Sequence, residues 1–368
     1  MRPASLLVVL AVGLQTGVCV GQNPPVGESV TRSRAEVESL IEKVGKTPPD
    51  WWDSTPLTYP PTLDLDWPMR AEGPWDASKN VGQYLWDIIN PNPGRWKEGI
   101  KLVNHLMIRH KDDRAKLVRA METLGRMYHD LMGDWARAAF WWRTCDRYGG
   151  GVDPIGLAHC YWKLGSKEMA AELLNAVGPD YTRHGVLIKL WADMGEYDKA
   201  LTLAKQKAAD SMPTIAYLTA GDTCRLAGRY KEALAYYQRV LSAKGDTGRE
   251  GDVKKDRERA QASIQAIKLF DTLDVAQVAD GVYTANSIAY AGPLHVEVTV
   301  KGGRIGSVRV TKHQEKQFYS ALTDTPGQIV RKQGVKGVEA VTGATMTSEA
   351  ILNATAKALA DGMQKAKR

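Results

Sequence analysis

Beyond its first two dozen residues the chain has no apolar run long enough to cross a bilayer. It has no Cys-x-x-Cys-His for attaching a c-type haem and no Gly-x-Gly-x-x-Gly for a dinucleotide. No Ser/His/Asp set and no metal-ligand cluster occurs at a useful spacing. The formal charge of +7 is scattered through both halves, as on a solvated surface, and makes no nucleic-acid footprint. Cysteine is scarce, at four residues. What remains is an ordinary globular composition, 43% hydrophobic and 25% charged, over 368 residues, enough for two domains.

The N-terminus has its own character. Arg2 is followed by an uncharged apolar run from Leu6 to Leu14. Small residues then lead to the polar Gln22-Asn23-Pro24-Pro25. This is the layout of a secretory signal peptide, expected over residues 1–21, and it places the mature protein outside the cytoplasm, periplasmic or secreted. Val18 before Cys19 does not suit a lipoprotein signal. Removing the signal leaves Cys145, Cys160 and Cys224, which permits one bridge and one free thiol. Cys145–Cys160 is the shortest closure; burial of unpaired thiols is the competing reading. His159 beside Cys160 reads as packing, since helix neighbours face different ways.

Residues 22–90 concentrate proline and tryptophan, as in Pro48-Pro49-Asp50-Trp51-Trp52 and Tyr59-Pro60-Pro61. Proline opposes helix and sheet, yet a solvated linker rarely carries so many aromatics. The reading is an extended arm laid on the next domain and anchored by its tryptophans; a proline-rich ligand for a partner is the alternative.

Over residues 91–245 one pattern recurs. Gly133-x-Trp135-x-x-Ala138 returns as Gly165-x-Lys167-x-x-Ala170, Gly195-x-Tyr197-x-x-Ala200 and Gly228-x-Tyr230-x-x-Ala233, with a degenerate copy at Gly94-x-Trp96. Each glycine follows an apolar helical stretch and precedes another, as a left-handed cap between paired helices would. The pattern resembles the tetratricopeptide repeat family, although Lys167 replaces the aromatic in one unit. The resemblance implies an all-α helical-repeat solenoid that docks partner proteins or serves as scaffold. Residues 246–279 read as a charged loop and a connecting helix. All eleven tryptophans lie before residue 192, so the helical part and the C-terminal part differ in composition.

Over residues 280–368 the period changes to two. Leu294, Val296, Val298 and Val300 alternate with polar residues, and Gly302-Gly303 precedes Ile305, Val308 and Val310, predicting a tight hairpin. An earlier strand is expected from Val282 to Tyr290. A last helix is expected from about Thr347, with an apolar stripe through Ile351, Leu352, Ala358, Leu359 and Met363. Between them, Glu339-Ala340-Val341-Thr342-Gly343-Ala344-Thr345-Met346-Thr347-Ser348 is a hydroxyl-rich turn feeding a helix start. That place suits a phosphate, and a simple helix cap at Thr347 or Ser348 explains the hydroxyls as well.

This segment resembles the flavinylation motif of the FMN-binding domain family, an acidic residue followed by Thr-Gly-Ala-Thr; Asp280-Gly281-Val282-Tyr283 resembles the family's opening. The resemblance implies a small α+β domain with FMN as cofactor, joined through its phosphate to Thr345 by a flavin transferase that uses FAD. Glu339, Thr342, Gly343, Ala344 and Thr347 complete the motif. Glu339 departs from the family's usual Asp and keeps the charge on a longer arm. His295 and His313 read as surface histidines. The whole predicts a soluble, exported electron carrier, more than a self-contained enzyme, docked to a redox partner protein or a membrane redox complex through its repeats. A repeat adaptor with an unflavinylated domain is the alternative from another class, and an FMN-dependent reductase a third.

Overall fold

Ser33 and Glu36 close a capping box, each accepting the other's backbone N–H, and start α1 (Arg34–Lys46). This helix lies within the span read as an extended arm. No proline falls between Pro25 and Pro48, which leaves this stretch free to be helical, and Val37 and Ile41 bury against the repeats. The computed structural model describes residues 30–66, 80–178, 184–210, 212–246, 250–270, 272–316, 319–341 and 344–366. The expected signal peptide falls outside them. Trp51 and Trp52 are half-buried against the core, and Lys101 Nζ donates to the carbonyls of Trp52 and Thr55 at 2.8 and 2.6 Å.

The helical part continues through α2 (Val81–Tyr84), a π-helical turn at Leu85–Ile89, α3 (Trp96–Arg109), α4 (Arg114–Arg126) and a second π turn at Met127–Met132. Then come α5 (Trp135–Arg147), α6 (Pro154–Lys163), α7 (Lys167–Asn175), α8 (His184–Asp193), α9 (Tyr197–Asp210), α10 (Pro213–Leu226) and α11 (Tyr230–Ser242). Gly133, Gly165, Gly195 and Gly228 occupy equivalent turns, with φ of 63°, 101°, 82° and 72°, each two residues before the next helix. A Cβ is disfavoured in that left-handed conformation. Asp134 and Ser166 then cap α5 and α7 by accepting the amides of Arg137 and Met169. Ala138, Ala170, Ala200 and Ala233 are fully buried where paired helices meet. In the degenerate copy Trp96 begins α3, and the alanine position is held by the buried Gly99 against Ile89.

The three cysteines Cys145, Cys160 and Cys224 are free and buried, so neither Cys145 nor Cys160 is bridged. His159 is buried between Trp135 and Trp162, and its Nδ1 lies 2.8 Å from His129 Nε2.

The long α12 (Glu250–Phe270) packs on α11 and α10 and on the last helix. Three antiparallel strands come next in order, β1 (Gly281–Ile288), β2 (Pro293–Lys301) and β3 (Arg304–Lys312). Gly302 and Gly303 turn the β2–β3 hairpin with φ of 57° and 69°, as a primed turn requires. Leu294, Val296, Val298 and Val300 face inward, fully buried, beneath α14 (Thr345–Ala366). Ahead of it, α13 (Ala321–Lys332) packs on β3, where the Gln333 side chain bonds both the amide and the carbonyl of Ile305. The molecule is thus a mostly helical N-terminal part followed by a small three-stranded α+β unit, and Thr31–Arg368 form one compact body. Among the described residues no helix is long and apolar enough to cross a membrane.

Candidate functional site

The start of α14 is built by a knot of short polar side chains. Ser348 Oγ accepts the Val341 amide at 2.9 Å and a hydrogen bond from the fully buried Thr325 hydroxyl at 3.1 Å. The Ala344 amide donates to the Val341 carbonyl, and the Ser348 amide to the Ala344 carbonyl. Gln328 of α13 clasps the Glu339 backbone at both its amide and its carbonyl, at 2.9 and 3.0 Å. Lys189 of α8, ion-paired with Asp193, donates to the Ala340 carbonyl at 3.2 Å. The loop is therefore tied both to its own domain and to the repeats.

Within this frame Thr345 is the first residue of α14 and is half-buried, two residues earlier than the helix start expected from the sequence. Ala344 is buried behind it and Glu339 is exposed on the preceding loop. Thr342 and Gly343 lie outside the described residues. Thr347 is buried, and its hydroxyl hydrogen-bonds the Glu315 carboxylate. That same carboxylate accepts the Ala291 amide at 3.3 Å. Burial raises the Glu315 pKa from its ordinary value, against the opposing pull of these hydrogen bonds.

Glu315 also lines a cavity of about 740 Å³, with Trp86, Pro91, Tyr290, His313 and Tyr319 among its walls. His313 is accordingly half-buried there and not a surface histidine. Its Nδ1 accepts the Glu315 amide at 3.2 Å, and burial lowers its pKa. His295 is likewise half-buried. Tyr319 is buried, donates to the Glu315 carbonyl at 2.7 Å, and has its pKa pushed up to about 12 by desolvation. Sequence reasoning did not find Glu315, Tyr319 or Trp86. The only local signal was the aromatic content of the Pro/Trp-rich span.

A cavity of this size suits a small cofactor. Its aromatic walls suit a flat ring, and its few polar groups suit the edge of one. The start of α14 suits a phosphate. Fold and site together define a small α+β flavin-binding unit behind a helical-repeat body.

The comparisons agree with that class. Residues 289–360 match the FMN-binding domain family, and residues 216–250 match the tetratricopeptide repeat family. The first of these supports FMN as the cofactor, and the second suggests protein–protein interaction. An uncharacterized protein of Treponema pallidum (strain Nichols) is 38% identical over 86 residues, 23% of this chain. The chain spans about a quarter of that relative's length, the match covering 24% of it. No solved structure matches.

Proposed function

We propose that this is an exported flavoprotein electron carrier, with FMN joined through its phosphate to Thr345 and the repeats docking it on a redox partner. The observation that carries the reading is the position of Thr345. It opens a 22-residue helix that starts inside the matched FMN-binding domain, is half-buried, and lies two residues before Thr347, which meets Glu315 on the wall of a cavity of about 740 Å³. The first turn of such a helix presents backbone N–H groups and the positive end of its dipole to a phosphate. When bound, FMN supplies one- or two-electron transfer. The chain itself fixes the attachment turn through Ser348, Thr325 and Gln328, and it sets Glu315, whose pKa burial raises, on the cavity wall.

The ester would form by attack of Thr345 Oγ on the FMN-side phosphorus of FAD, with AMP leaving and the hydroxyl proton lost to solvent. The transferase is a separate protein. A covalent link also suits a chain exported unfolded, because a dissociable flavin would be diluted away outside the cell. Protein co-expressed with a flavin transferase should stay yellow after denaturation and desalting, since a phosphoester survives unfolding and a non-covalent cofactor does not. Thr345→Ala should abolish the retained colour. Colour kept by that variant would assign the ester to another residue. Complete loss from the wild type on unfolding would rule out the covalent link, and absence of flavin from the folded protein as well would leave the repeat-adaptor reading.

A further inference from the structure

The cavity is not made by the FMN-binding domain alone. Tyr290, His313, Glu315 and Tyr319 come from the matched domain, whereas Trp86 comes from the segment that precedes the repeats and Pro91 from the very start of the repeat span. We propose that this segment forms the second wall of the flavin-ring pocket, with the Trp86 indole stacking on the isoalloxazine. The inference rests on the FMN reading above and extends it to residues outside the matched domain.

Trp86 and Tyr290 are among the few large apolar side chains left open, at 45% and 53% exposure, and both face the same cavity. Two exposed aromatics on one cavity suit a planar ligand better than solvent. The segment carrying Trp86 is also held in place. Asp87 pairs with Lys316 at 2.8 Å, and the Trp96 ring meets Tyr319 edge-on at 5.1 Å. Trp96 Nε1 donates to the Asn90 carbonyl at 3.0 Å, which pins the chain just after Trp86. Trp86 sits in the π-helical turn Leu85–Ile89, an irregularity frequent at functional sites.

The remaining link is to the attachment turn. Glu315 on the cavity wall is hydrogen-bonded to Thr347, two residues beyond Thr345. A ring in the cavity and a phosphate at the start of α14 would therefore be neighbours, as the two ends of one FMN must be. Glu315, His313 and the Ala291 backbone offer polar groups to the ring's edge, while Trp86 and Tyr290 offer faces.

The test is made on the full chain produced without flavin transferase, titrated with FMN and followed by flavin fluorescence. Wild type should quench the fluorescence saturably, because a stacked indole is an efficient quencher. Trp86→Ala should weaken binding about 3- to 10-fold, the range expected for one aromatic stacking contact, and should relieve most of the quenching. Trp86→Phe should recover most of the affinity but not the quenching. Because Trp86 is partly open, both variants should melt close to the wild-type temperature. The proposal is overturned if no saturable quenching occurs up to about 1 mM FMN, or if Trp86→Ala binds and quenches like wild type. Retention of colour after unfolding is a separate readout, so the ester to Thr345 and the ring site can fail independently.

Discussion

Thr347 shows how one residue changes meaning between a sequence and a fold. In the sequence it reads as a helix cap or a companion of the attachment threonine. In the structure its hydroxyl reaches the Glu315 carboxylate, which is buried beside Tyr319 and His313. Thr347→Val keeps the shape and removes the hydrogen bond, and should cost about 1–3 kcal/mol, the penalty for a buried acceptor left short of a donor. The same carboxylate sets a pH dependence. Its folded pKa lies above its ordinary value near 4.5, so above that value the folded state binds more protons than the unfolded one. Stability must then fall as pH rises through the interval between the two pKa values. Glu315→Gln should flatten that part of the melting-temperature profile. A profile of unchanged slope in the variant would show that another group is responsible.

Among the elements, the repeat turns and the hairpin were legible because each depends on a local rule repeated at a fixed offset. Four glycines precede four buried alanines by five positions, and the same turn appears four times. Gly302-Gly303 between alternating strands is equally local. Helices α1, α2 and α13 were not legible, α2 being a single turn inside the span read as an extended arm. α13 carries Pro326 in its interior, which interrupts the pattern, and α1 precedes a proline-dense stretch that dominates its surroundings. The cavity was illegible for a different reason. Asp87 and Lys316, which close its two walls, are 229 residues apart, and no spacing rule links them. The glycines themselves separate two costs. Gly228 has φ of 72° and open space around it, so Gly228→Ala should lose only the left-handed backbone preference, about 1–2 kcal/mol. At Gly221, in the middle of α10, a Cβ would come within 2.5 Å of the Tyr237 ring. Gly221→Ala should cost at least as much, by overpacking and by displacing the Tyr237 hydroxyl from Asp222. Equal denaturant midpoints for wild type and Gly221→Ala would mean that the helix pair yields without strain.

The whole molecule is joined across its two architectures by a buried ion pair. Arg225 on α10 meets Glu349 on α14, and its guanidinium also donates to Asn353 at 3.1 Å. Asp222, one turn earlier on α10, accepts the Tyr237 hydroxyl at 2.7 Å and lies 3.6 Å from Arg259 of α12. These side chains are almost wholly buried, so the repeats, the connecting helix and the last helix share one desolvated polar cluster. Burial pushes the Glu349 pKa up, against the pull of Arg225 in the other direction. Removing one partner strands the other. Arg225→Met should therefore destabilise the chain by about 3–5 kcal/mol, whereas Arg225→Met combined with Glu349→Leu should recover most of that loss. The choice of observable matters, because a cluster that only fills space would give additive losses in the double variant. A second consequence concerns cooperativity. With the pair intact, repeat helicity and flavin-domain tertiary signals should be lost in a single denaturant transition, since Thr31–Arg368 form one body. In Arg225→Met the strand-and-helix unit should unfold before the repeats, as the transition loses the tie between α10 and α14. Coincident transitions in the variant, at an unchanged midpoint, would sink the claim that this pair couples the helical body to the flavin-binding unit.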